Sequence, residues 1–333
     1  MTEPLIRVEN LVKHFTLATA NPFVRHKPVV RAVDGVSFNV AEGETLGLVG
    51  ESGCGKSTVG RLVLNLMPAT SGQVSFDGRD ILSMDAAEMR RVRKDLQIIF
   101  QDPHASLNPR MTVEDIILEP LYAQGARRSP ELQAYASELL EMVGLPARFR
   151  TRHPHQFSGG QRQRIGIARA IAPKPRLVIC DEAVSALDVS VQAQVINLMQ
   201  DLKDKMGMSY LFIGHDLAVV RHISDRIAVM YLGRIVEIAP REELFDRPFH
   251  PYTQALMAAI PVAHPRLRRD RNRVRGELPS PLSPPTGCHF HPRCPFARDL
   301  CRAEAPQLRQ MGKAHRASCH FAEEIVATQA SAL

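Results

Sequence analysis

A glycine-rich segment near residue 50 has the residue types and spacing of a phosphate-binding loop. It follows an apolar run, precedes a helical pattern and consists of Gly50, Glu51, Ser52, Gly53, Cys54, Gly55, Lys56 and Ser57, with Thr58 next. Glycines allow backbone N–H groups to curl around phosphate oxygens, and the start of the following helix adds positive potential. In this pattern Lys56 places its charge on the β- and γ-phosphates and Ser57 offers a hydroxyl to Mg²⁺, whereas Cys54 has no catalytic role. The sequence therefore predicts a site for a nucleotide with Mg²⁺.

Two consecutive carboxylates follow a second apolar run. Asp181 and Glu182 come directly after Leu177–Cys180. In a parallel sheet the carboxyl ends of the strands meet the ligand, so Asp181 can hold Mg²⁺, directly or through water, while Glu182 orients the attacking water. Such a pair is most often a solvated strand end, but the upstream phosphate loop favours the functional interpretation.

A serine followed by two glycines precedes a further helical pattern. Ser158 would usually be a simple N-cap. Gly159 and Gly160 are unusual directly after a cap, because glycine weakens the first turn of a helix. They are explained if the backbone must approach an anion closely, so we predict a second anion-binding segment here.

The elements that must position these residues alternate between buried strands and amphipathic helices. Strands are predicted at Leu5–Val8, Val36–Val40, Thr45–Val49, Leu177–Cys180 and Tyr210–Ile213. Helices are predicted after Lys56, with Val59, Leu62, Val63 and Leu66 on one face, within 110–150, and around Val195, Leu198, Met199 and Leu202, ending at Gly207. Asn21–Pro28 is predicted to be a loop. This alternation indicates an α/β fold with a mainly parallel sheet.

The composition excludes several classes of protein. The chain has 333 residues, 44% of them hydrophobic and 23% charged, which is typical of one or two globular domains and not of a disordered chain. No apolar run approaches the roughly 18 residues of a membrane span. The net charge of +7 is mild and argues for neither nucleic acid nor lipid as a partner. Since no secretory leader is visible, we expect a reducing compartment, where clustered cysteines are more often ligands than disulfides.

Four of the six cysteines lie near the C-terminus, beyond an Arg-rich stretch at 264–276 and a Pro-rich stretch at 277–287. They are Cys288, Cys294, Cys301 and Cys319, with the spacing C-x5-C-x6-C-x17-C. Four thiolates suit zinc or an iron–sulfur cluster, although zinc sites usually contain a closer pair. Four free cysteines are the alternative. The nearby His289, His291, His315 and His320 could replace cysteine ligands, but we expect them to be ordinary solvent-exposed residues. The change in composition predicts a separate C-terminal module.

Five segments, in order, resemble the motifs of ATP-binding-cassette ATPases. Besides the phosphate loop they are Phe157–Gln161, similar to the signature motif, Gln101, similar to the Q-loop, Ser185–Asp188, similar to the D-loop, and His215, similar to the switch histidine. A closer resemblance, to the ATP-binding subunit of dipeptide and oligopeptide importers, spans nearly the whole chain. It is carried by Gly50–Thr58, Ser106–Pro109, Ala186–Ser190, His250–Thr253 and Gly276–Pro281.

The resemblance implies a P-loop NTPase (RecA-like) nucleotide-binding domain of the cassette type. The core would comprise 1–102 and 164–262, an inserted helical subdomain with the signature would comprise 103–163, and a small cysteine-rich module would comprise 263–333. The implied cofactors are ATP, Mg²⁺ and a [4Fe–4S] cluster on the four C-terminal cysteines, with zinc as the alternative. Because the cysteines lie far along the chain from the nucleotide motifs, we expect them to have a structural or assembly role and nucleotide binding to be independent of them.

The resemblance also implies residue roles. Glu182 would be the general base, His215 would grip the γ-phosphate, and Gln101 would bind Mg²⁺ with Ser57 and Asp181 and link the site to membrane subunits. Two cassettes would sandwich ATP between the phosphate loop of one and the signature of the other. The remaining nucleotide-binding positions of this implied sandwich are Gly50, Ser52, Gly53, Cys54, Gly55, Lys56, Thr58, Ser158, Gly160, Gln161 and Asp188.

The resemblance does not settle the role of two positions. Phe15 would stack on adenine or else be a core aromatic residue. Ala183 stands where the broad family usually has proline, a departure that removes no functional group.

The implied function is ATP hydrolysis that energises uptake of di- or oligopeptides from the cytoplasmic face of the membrane. The implied partners are two transmembrane permease subunits, a second, paralogous cassette subunit and an extracytoplasmic substrate-binding protein, with no nucleic acid. A metal- or glutathione-type importer is the alternative within the family. A soluble cassette of translation or DNA repair is disfavoured by the single phosphate loop and the short 103–163 segment. A redox regulator with a vestigial cassette is disfavoured by the complete motif set.

Overall fold

The structure is a computed structural model that describes residues 3–17, 27–260 and 276–330. The chain forms two compact units. The first comprises the described residues of Met1–Ile6, Val40–Thr45 and Phe76–Gly214, and the second those of Arg7–Asn39, Leu46–Ser75 and His215–Leu333.

Strands and helices alternate along the described chain. The strands are β1 Ile6–Thr16, β2 Val29–Val40, β3 Thr45–Val49, β4 Ser71–Phe76, β5 Arg79–Asp80, β6 Leu96–Ile99, β7 Leu177–Asp181, β8 Ser209–Gly214, β9 Arg226–Tyr231, β10 Arg234–Pro240, β11 Arg309–Gln310 and β12 Arg316–Ala317. The α-helices are α1 Lys56–Val63, α2 Ala86–Val92, α3 Pro103–Ser106, α4 Val113–Ala123, α5 Pro130–Met142, α6 Gly159–Ile171, α7 Val189–Met206, α8 Leu217–Ile223, α9 Arg241–Asp246, α10 Pro251–Ala258, α11 Asp299–Ala303 and α12 Ala322–Ala330. Short 3-10 helices lie at Ala147–Thr151, Pro154–Gln156 and His291–Arg293.

In the first unit β7 lies between β6 and β8, and all three strands are parallel. Every residue of β7 is buried, as expected for a continuous apolar run in a parallel sheet. Helices α4, α5 and α6 pack together beside these strands, and each begins at a hydroxyl N-cap, at Thr112, Ser129 and Ser158 respectively. The carboxyl ends of β6 and β7 therefore meet at one edge, where Gln101 and Glu182 follow them.

In the second unit β3 is parallel to β9, and β10 continues the sheet antiparallel to β9. The C-terminal strand β12 pairs with β10, with Ala317 opposite Glu237, and β11 pairs with β12. Strands β2, β1 and β4 form a further sheet in that order. The cysteine-bearing tail is thus joined by main-chain hydrogen bonds to the same sheet that carries the phosphate loop at the end of β3.

Most elements lie where the sequence predicts them. The predicted strands Thr45–Val49, Leu177–Cys180 and Tyr210–Ile213 are confirmed to within one residue at each end, and α7 ends at Gly207 with a left-handed φ of 67°. The helical content predicted for 110–150 is also present, as α4, α5 and a 3-10 helix. Residues 277–287 contain no helix or strand, in agreement with their proline content.

Three predictions need correction or fall outside the described residues. Strands β1 and β2 extend well beyond Leu5–Val8 and Val36–Val40, because hydrogen bonding to neighbouring strands continues past the alternating apolar pattern. Helix α1 ends at Val63, and Leu66 is 47% exposed, because Asn65 adopts a left-handed φ of 48° that stops the helix. The loop at Asn21–Pro28 and the Arg-rich stretch lie largely outside the described residues.

None of the helices in the described ranges combines the length and the apolar character that a membrane-spanning segment requires.

Candidate active site

The phosphate loop in the second unit is packed so tightly that glycine is required at two of its positions. A Cβ atom on Gly50 would lie 2.2 Å from the carbonyl oxygen of Met230, and one on Gly55 would lie 2.0 Å from that of Ala32. Gly55 also has a left-handed φ of 105° and is the N-cap of α1. The loop therefore leads directly into a helix N-terminus, which is the arrangement that favours a bound anion.

The ammonium group of Lys56 is held inside this loop. Lys56 is only 4% exposed, and its Nζ donates to the carbonyl oxygens of Gly50 at 2.9 Å and Glu51 at 3.0 Å. These bonds satisfy a buried charge and keep it within the curve of the loop, where it is available to a phosphate. Burial raises the pKa of the Cys54 thiol, which favours its protonated form.

The other predicted residues of the loop are accessible to a ligand. Ser52 and Gly53 are exposed, and Ser57 and Thr58 are half-buried in the first turn of α1. Their positions are compatible with hydroxyl and backbone contacts to a nucleotide.

In the first unit the structure brings Gln101 and Glu182 together. Gln101 Nε2 donates a 2.9 Å hydrogen bond to Glu182 Oε2 at the shared edge of β6 and β7. Glu182 has a φ of 48°, which is uncommon for a residue with a side chain, and its backbone N–H donates to the carbonyl of Ile213 at 3.0 Å. The strand edge thus holds Glu182 in a turn, where it is half-buried, whereas Asp181 is 5% exposed.

Ser158 is an N-cap after all, and it forms a reciprocal capping box on α6. Its Oγ accepts from the N–H of Gln161 at 3.3 Å, and its own N–H donates to Gln161 Oε1 at 3.0 Å. Gly160 has a reason that the sequence did not indicate. A Cβ there would lie 2.6 Å from Cγ1 of Val191 on α7, whereas a Cβ on Gly159 would meet Leu187 at an ordinary 3.8 Å. Close helix packing therefore accounts for Gly160 alongside any role in binding.

Replacing Gly160 tests this contact directly. Gly160→Ala is expected to destabilise the first unit by about 1–3 kcal/mol, because α6 and α7 must move apart to admit a methyl group. Gly159→Ala is the matched control and should be neutral or slightly stabilising, because alanine favours the helix and meets no obstacle. The measurement is the thermal unfolding of both variants. An equal melting temperature for the two would contradict the packing explanation.

Phe15, Asp188 and His215, three predicted nucleotide contacts, are exposed. Phe15 is 37% exposed and lies 5.0 Å, ring centroid to Nζ, from Lys13, so the core interpretation is wrong. Asp188 is exposed at the N-terminus of α7 and accepts no capping hydrogen bond from it, and the adjacent Val189 is 82% exposed. His215 is exposed directly after β8.

The four C-terminal cysteines line one small apolar cavity. Its walls also contain His291, His320 and the rings of Phe290, Phe296 and Phe321. Burial, together with the neighbouring thiols, raises the pKa of Cys294 to about 11 and that of Cys319 to about 12. His291 and His320 each direct one ring nitrogen to a backbone carbonyl, of Cys288 and Glu304 respectively, at 3.0 Å. The donor groups that line the cavity are therefore the four thiols and the second ring nitrogens of these two histidines.

Within the described ranges no group of three or more His, Cys, Asp or Glu side chains has the arrangement of a metal site. The chemistry of the donor set nevertheless fits a cation that favours thiolates, because four thiols from separate segments converge on one cavity. A bound metal would also deprotonate these thiols, although burial raises the pKa values of Cys288, Cys294 and Cys319.

One expectation about the tail is wrong, and the distance argument behind another does not hold. None of the four tail histidines is exposed: His289, His291 and His320 are half-buried, and the side chain of His315 is 2% exposed, with its Nε2 2.7 Å from the buried carboxylate of Glu237. Distance along the chain is also no measure of distance from the nucleotide motifs, since Arg293 forms an ion pair at 2.7 Å with Glu51 of the phosphate loop. No local pattern in the sequence signals either contact, because the partners are 78 and 242 positions apart.

Comparison with known proteins agrees with this geometry. Residues 33–185 match the family described as ABC transporter, and residues 236–301 match the family described as oligopeptide/dipeptide transporter, C-terminal region. A probable peptide ABC transporter ATP-binding protein of Sinorhizobium fredii is 53% identical over 96% of this chain and 90% of its own. The oligopeptide transport ATP-binding protein AppF of Bacillus subtilis is 50% identical over 96% of this chain and 98% of its own.

Solved structures show the same fold. A dimeric ATP-binding cassette in a post-hydrolysis state, MJ0796 bound to ADP and Pi, superposes with a TM-score of 0.62 at 28% identity, covering 71% of this chain and 98% of that one. The chain belongs to the ATP-binding-cassette transporter family, and its fold is the P-loop NTPase fold of the cassette ATPases.

Proposed function

We propose that this chain is the ATP-hydrolysing subunit that energises import of di- or oligopeptides through partner permeases. The observation that carries the proposal is the identity of about half over 96% of the chain to proteins named for peptide or oligopeptide transport. The match of residues 236–301 to the C-terminal region of oligopeptide/dipeptide transporters supports the peptide class over the metal- or glutathione-type alternative.

The proposed chemistry is hydrolysis of ATP, with the residue roles that follow. Lys56 and the backbone N–H groups of the loop bind the β- and γ-phosphates, and His215 contacts the γ-phosphate. Ser57, Asp181 and Gln101 would hold Mg²⁺, which neutralises phosphate charge when bound. Glu182 takes a proton from the attacking water, and the Gln101 amide orients its carboxylate. Phe15 offers an exposed ring for the adenine.

A second cassette is proposed to complete each site. Ser158, Gly160, Gln161 and Asp188 would contact the nucleotide held by the other subunit. The exposed Val189 and the uncapped carboxylate of Asp188 support an interface at this end of α7, and the solved cassette bound to ADP and Pi is a dimer. The proposed assembly contains two permeases, a paralogous cassette and an extracytoplasmic binding protein, with this chain at the cytoplasmic face of the membrane.

We also propose three functional regions, with the cassette core in 1–102 and 164–262 and the helical subdomain in 103–163. The third, 263–333, would carry a [4Fe–4S] cluster on Cys288, Cys294, Cys301 and Cys319, with zinc as the alternative. Such a group would cross-link four short segments of the tail and so stabilise it. The convergence of the four thiols on one cavity supports this proposal.

Metal analysis tests the cluster. Protein purified without oxygen is expected to contain iron and sulfide and to be brown, and Cys294→Ser should lose the colour and lower the melting temperature of the tail. Cys180→Ser is the control, because Cys180 is fully buried in β7 and lies outside the cavity. A colourless protein with one zinc per chain would indicate a zinc site instead of the cluster. A metal-free protein would indicate that the four cysteines are free thiols that contribute only to packing.

Stepwise assembly of the transporter, with the rate of ATP hydrolysis measured at each step, tests the proposed activity. The isolated chain is expected to hydrolyse ATP slowly, because it supplies half of each proposed composite site. Addition of the paralogous cassette and the permeases, and then of the peptide-loaded binding protein, should raise the rate stepwise. Full activity of a strictly monomeric chain would contradict the proposal, and stimulation by a metal- or glutathione-loaded binding protein instead would favour the alternative cargo.

A further inference from the structure

The cysteine-bearing tail reaches the phosphate loop through one arginine. Arg293 Nη1 and Nη2 donate to the two carboxylate oxygens of Glu51 at 2.7 and 2.9 Å. The side chain of Arg293 is 7% exposed and that of Glu51 is 27% exposed. Paired bonds of this kind are directional and stronger than neutral hydrogen bonds, so they fix the carboxylate in place.

Arg293 depends on Glu51 for its charge compensation. Its other polar contact is to the hydroxyl of Tyr231 at 3.5 Å, and its buried Nε has no hydrogen-bond partner among the described residues. The hydrogen bonds to Glu51 raise the pKa of Arg293 further above its usual range. The two side chains therefore form a closed pair in which each neutralises the other.

The arginine is held in position by aromatic packing of the same short segment. Phe290, three residues earlier, is 2% exposed and packs against Tyr231 and Tyr252 with ring centroids 5.3 and 5.4 Å apart. Tyr252 in turn accepts the backbone N–H of Glu51 at 2.9 Å. Side chains of one cluster thus hydrogen-bond both the backbone and the carboxylate of Glu51.

The charge of Glu51 matters because of its neighbours. It is the second residue of a loop that binds polyphosphate, and its carbonyl accepts from Lys56 Nζ at 3.0 Å. An uncompensated carboxylate here would repel the nucleotide phosphates and compete for the ammonium of Lys56. The ion pair with Arg293 neutralises that negative charge.

We propose that Arg293 is a positioning residue that neutralises and orients Glu51, so that affinity for nucleotide phosphates depends on the docked tail. The inference rests on the proposed function only in that the loop binds ATP. It assigns to the tail a role in the nucleotide site in addition to its own stability. A pair that merely fastens the tail to the core is the competing explanation.

The ATP affinity of a double variant distinguishes the two explanations. Arg293→Ala is expected to weaken ATP binding about tenfold, because a carboxylate is left without its partner in the loop. Adding Glu51→Gln should restore most of the affinity, since it removes the stranded charge, whereas a simple fastening would not be repaired by it. Arg293→Lys should lie between the wild type and Arg293→Ala, because lysine keeps the charge but not the paired geometry.

The measurement is equilibrium binding of ATP and of adenosine to the purified full chain, at low and high salt, alongside thermal unfolding. The loss for ATP should shrink as salt rises, and adenosine, which has no phosphates, should bind as to the wild type. Arg302→Ala is the matched control, because it removes an exposed tail arginine whose side chain pairs with the exposed Asp299.

Unchanged ATP affinity in folded Arg293→Ala, or equal weakness of the single and double variants, would overturn the inference while the wild type still binds ATP. If Arg293→Ala does not fold, Glu51→Gln decides, because the proposal requires that it bind ATP at least as well as the wild type. A wild-type chain that binds no ATP would instead contradict the proposed function.

Discussion

Glu182→Gln is expected to reduce steady-state ATP hydrolysis in the assembled transporter by about 10²–10⁴-fold, which is the usual contribution of a positioned general base. The amide keeps the shape and the turn at φ 48° but cannot accept the proton of the attacking water. ATP affinity should remain close to that of the wild type, because the phosphate contacts of Lys56 and the loop are unchanged. The measurement is a comparison of ATP binding with ATPase rate in the same preparation.

The control for this change is Glu138→Gln, which removes an exposed carboxylate on α5. It should leave the rate unaltered. If the Glu182 variant kept full activity, the proton acceptor would have to be another group, and Asp181 would be the next residue to test.

Lys56→Ala is expected to affect binding more than turnover. It removes a buried ammonium whose charge-assisted bonds to phosphate contribute about 1.5–3 kcal/mol, so ATP affinity should fall by about 10- to 100-fold. Lys94→Ala removes an exposed lysine of the first unit and serves as the control for the change in net charge. Equal ATP affinity in the Lys56 and Lys94 variants would show that the ammonium does not contact the phosphates.

Local patterns were sufficient for the parts of the site that are contiguous in sequence. The run Thr45–Val49, the glycines after it and the helix from Lys56 all carry their structure in neighbouring residues, and the strand ending at Asp181 does likewise. The pairing of Gln101 with Glu182 followed only in part. The sequence placed Glu182 at a strand end but identified Gln101 only by its resemblance to the Q-loop, and the 2.9 Å bond between them depends on β6, which was not predicted, lying next to β7.

Contacts between segments that are distant in sequence could not be predicted from local patterns. Nothing around Arg293 distinguishes it from other basic residues of a Pro- and Cys-rich tail, and its partner Glu51 occupies a variable position of the loop. The same holds for His315, which pairs with Glu237 only because β12 joins β10. Gly160 was attributed to an approaching anion because its clash with Val191 on another helix is invisible in sequence. Long-range packing, and not propensity, decided these positions.

The most direct test of the central claim is peptide uptake into vesicles that contain the assembled transporter and its binding protein, with ATP supplied on the side of the cassettes. The account predicts accumulation of labelled di- or oligopeptide that requires ATP and is abolished by Glu182→Gln, with Glu138→Gln as the control. Uptake that proceeds unchanged with Glu182→Gln, or an active ATPase that moves no peptide of either class, would contradict it.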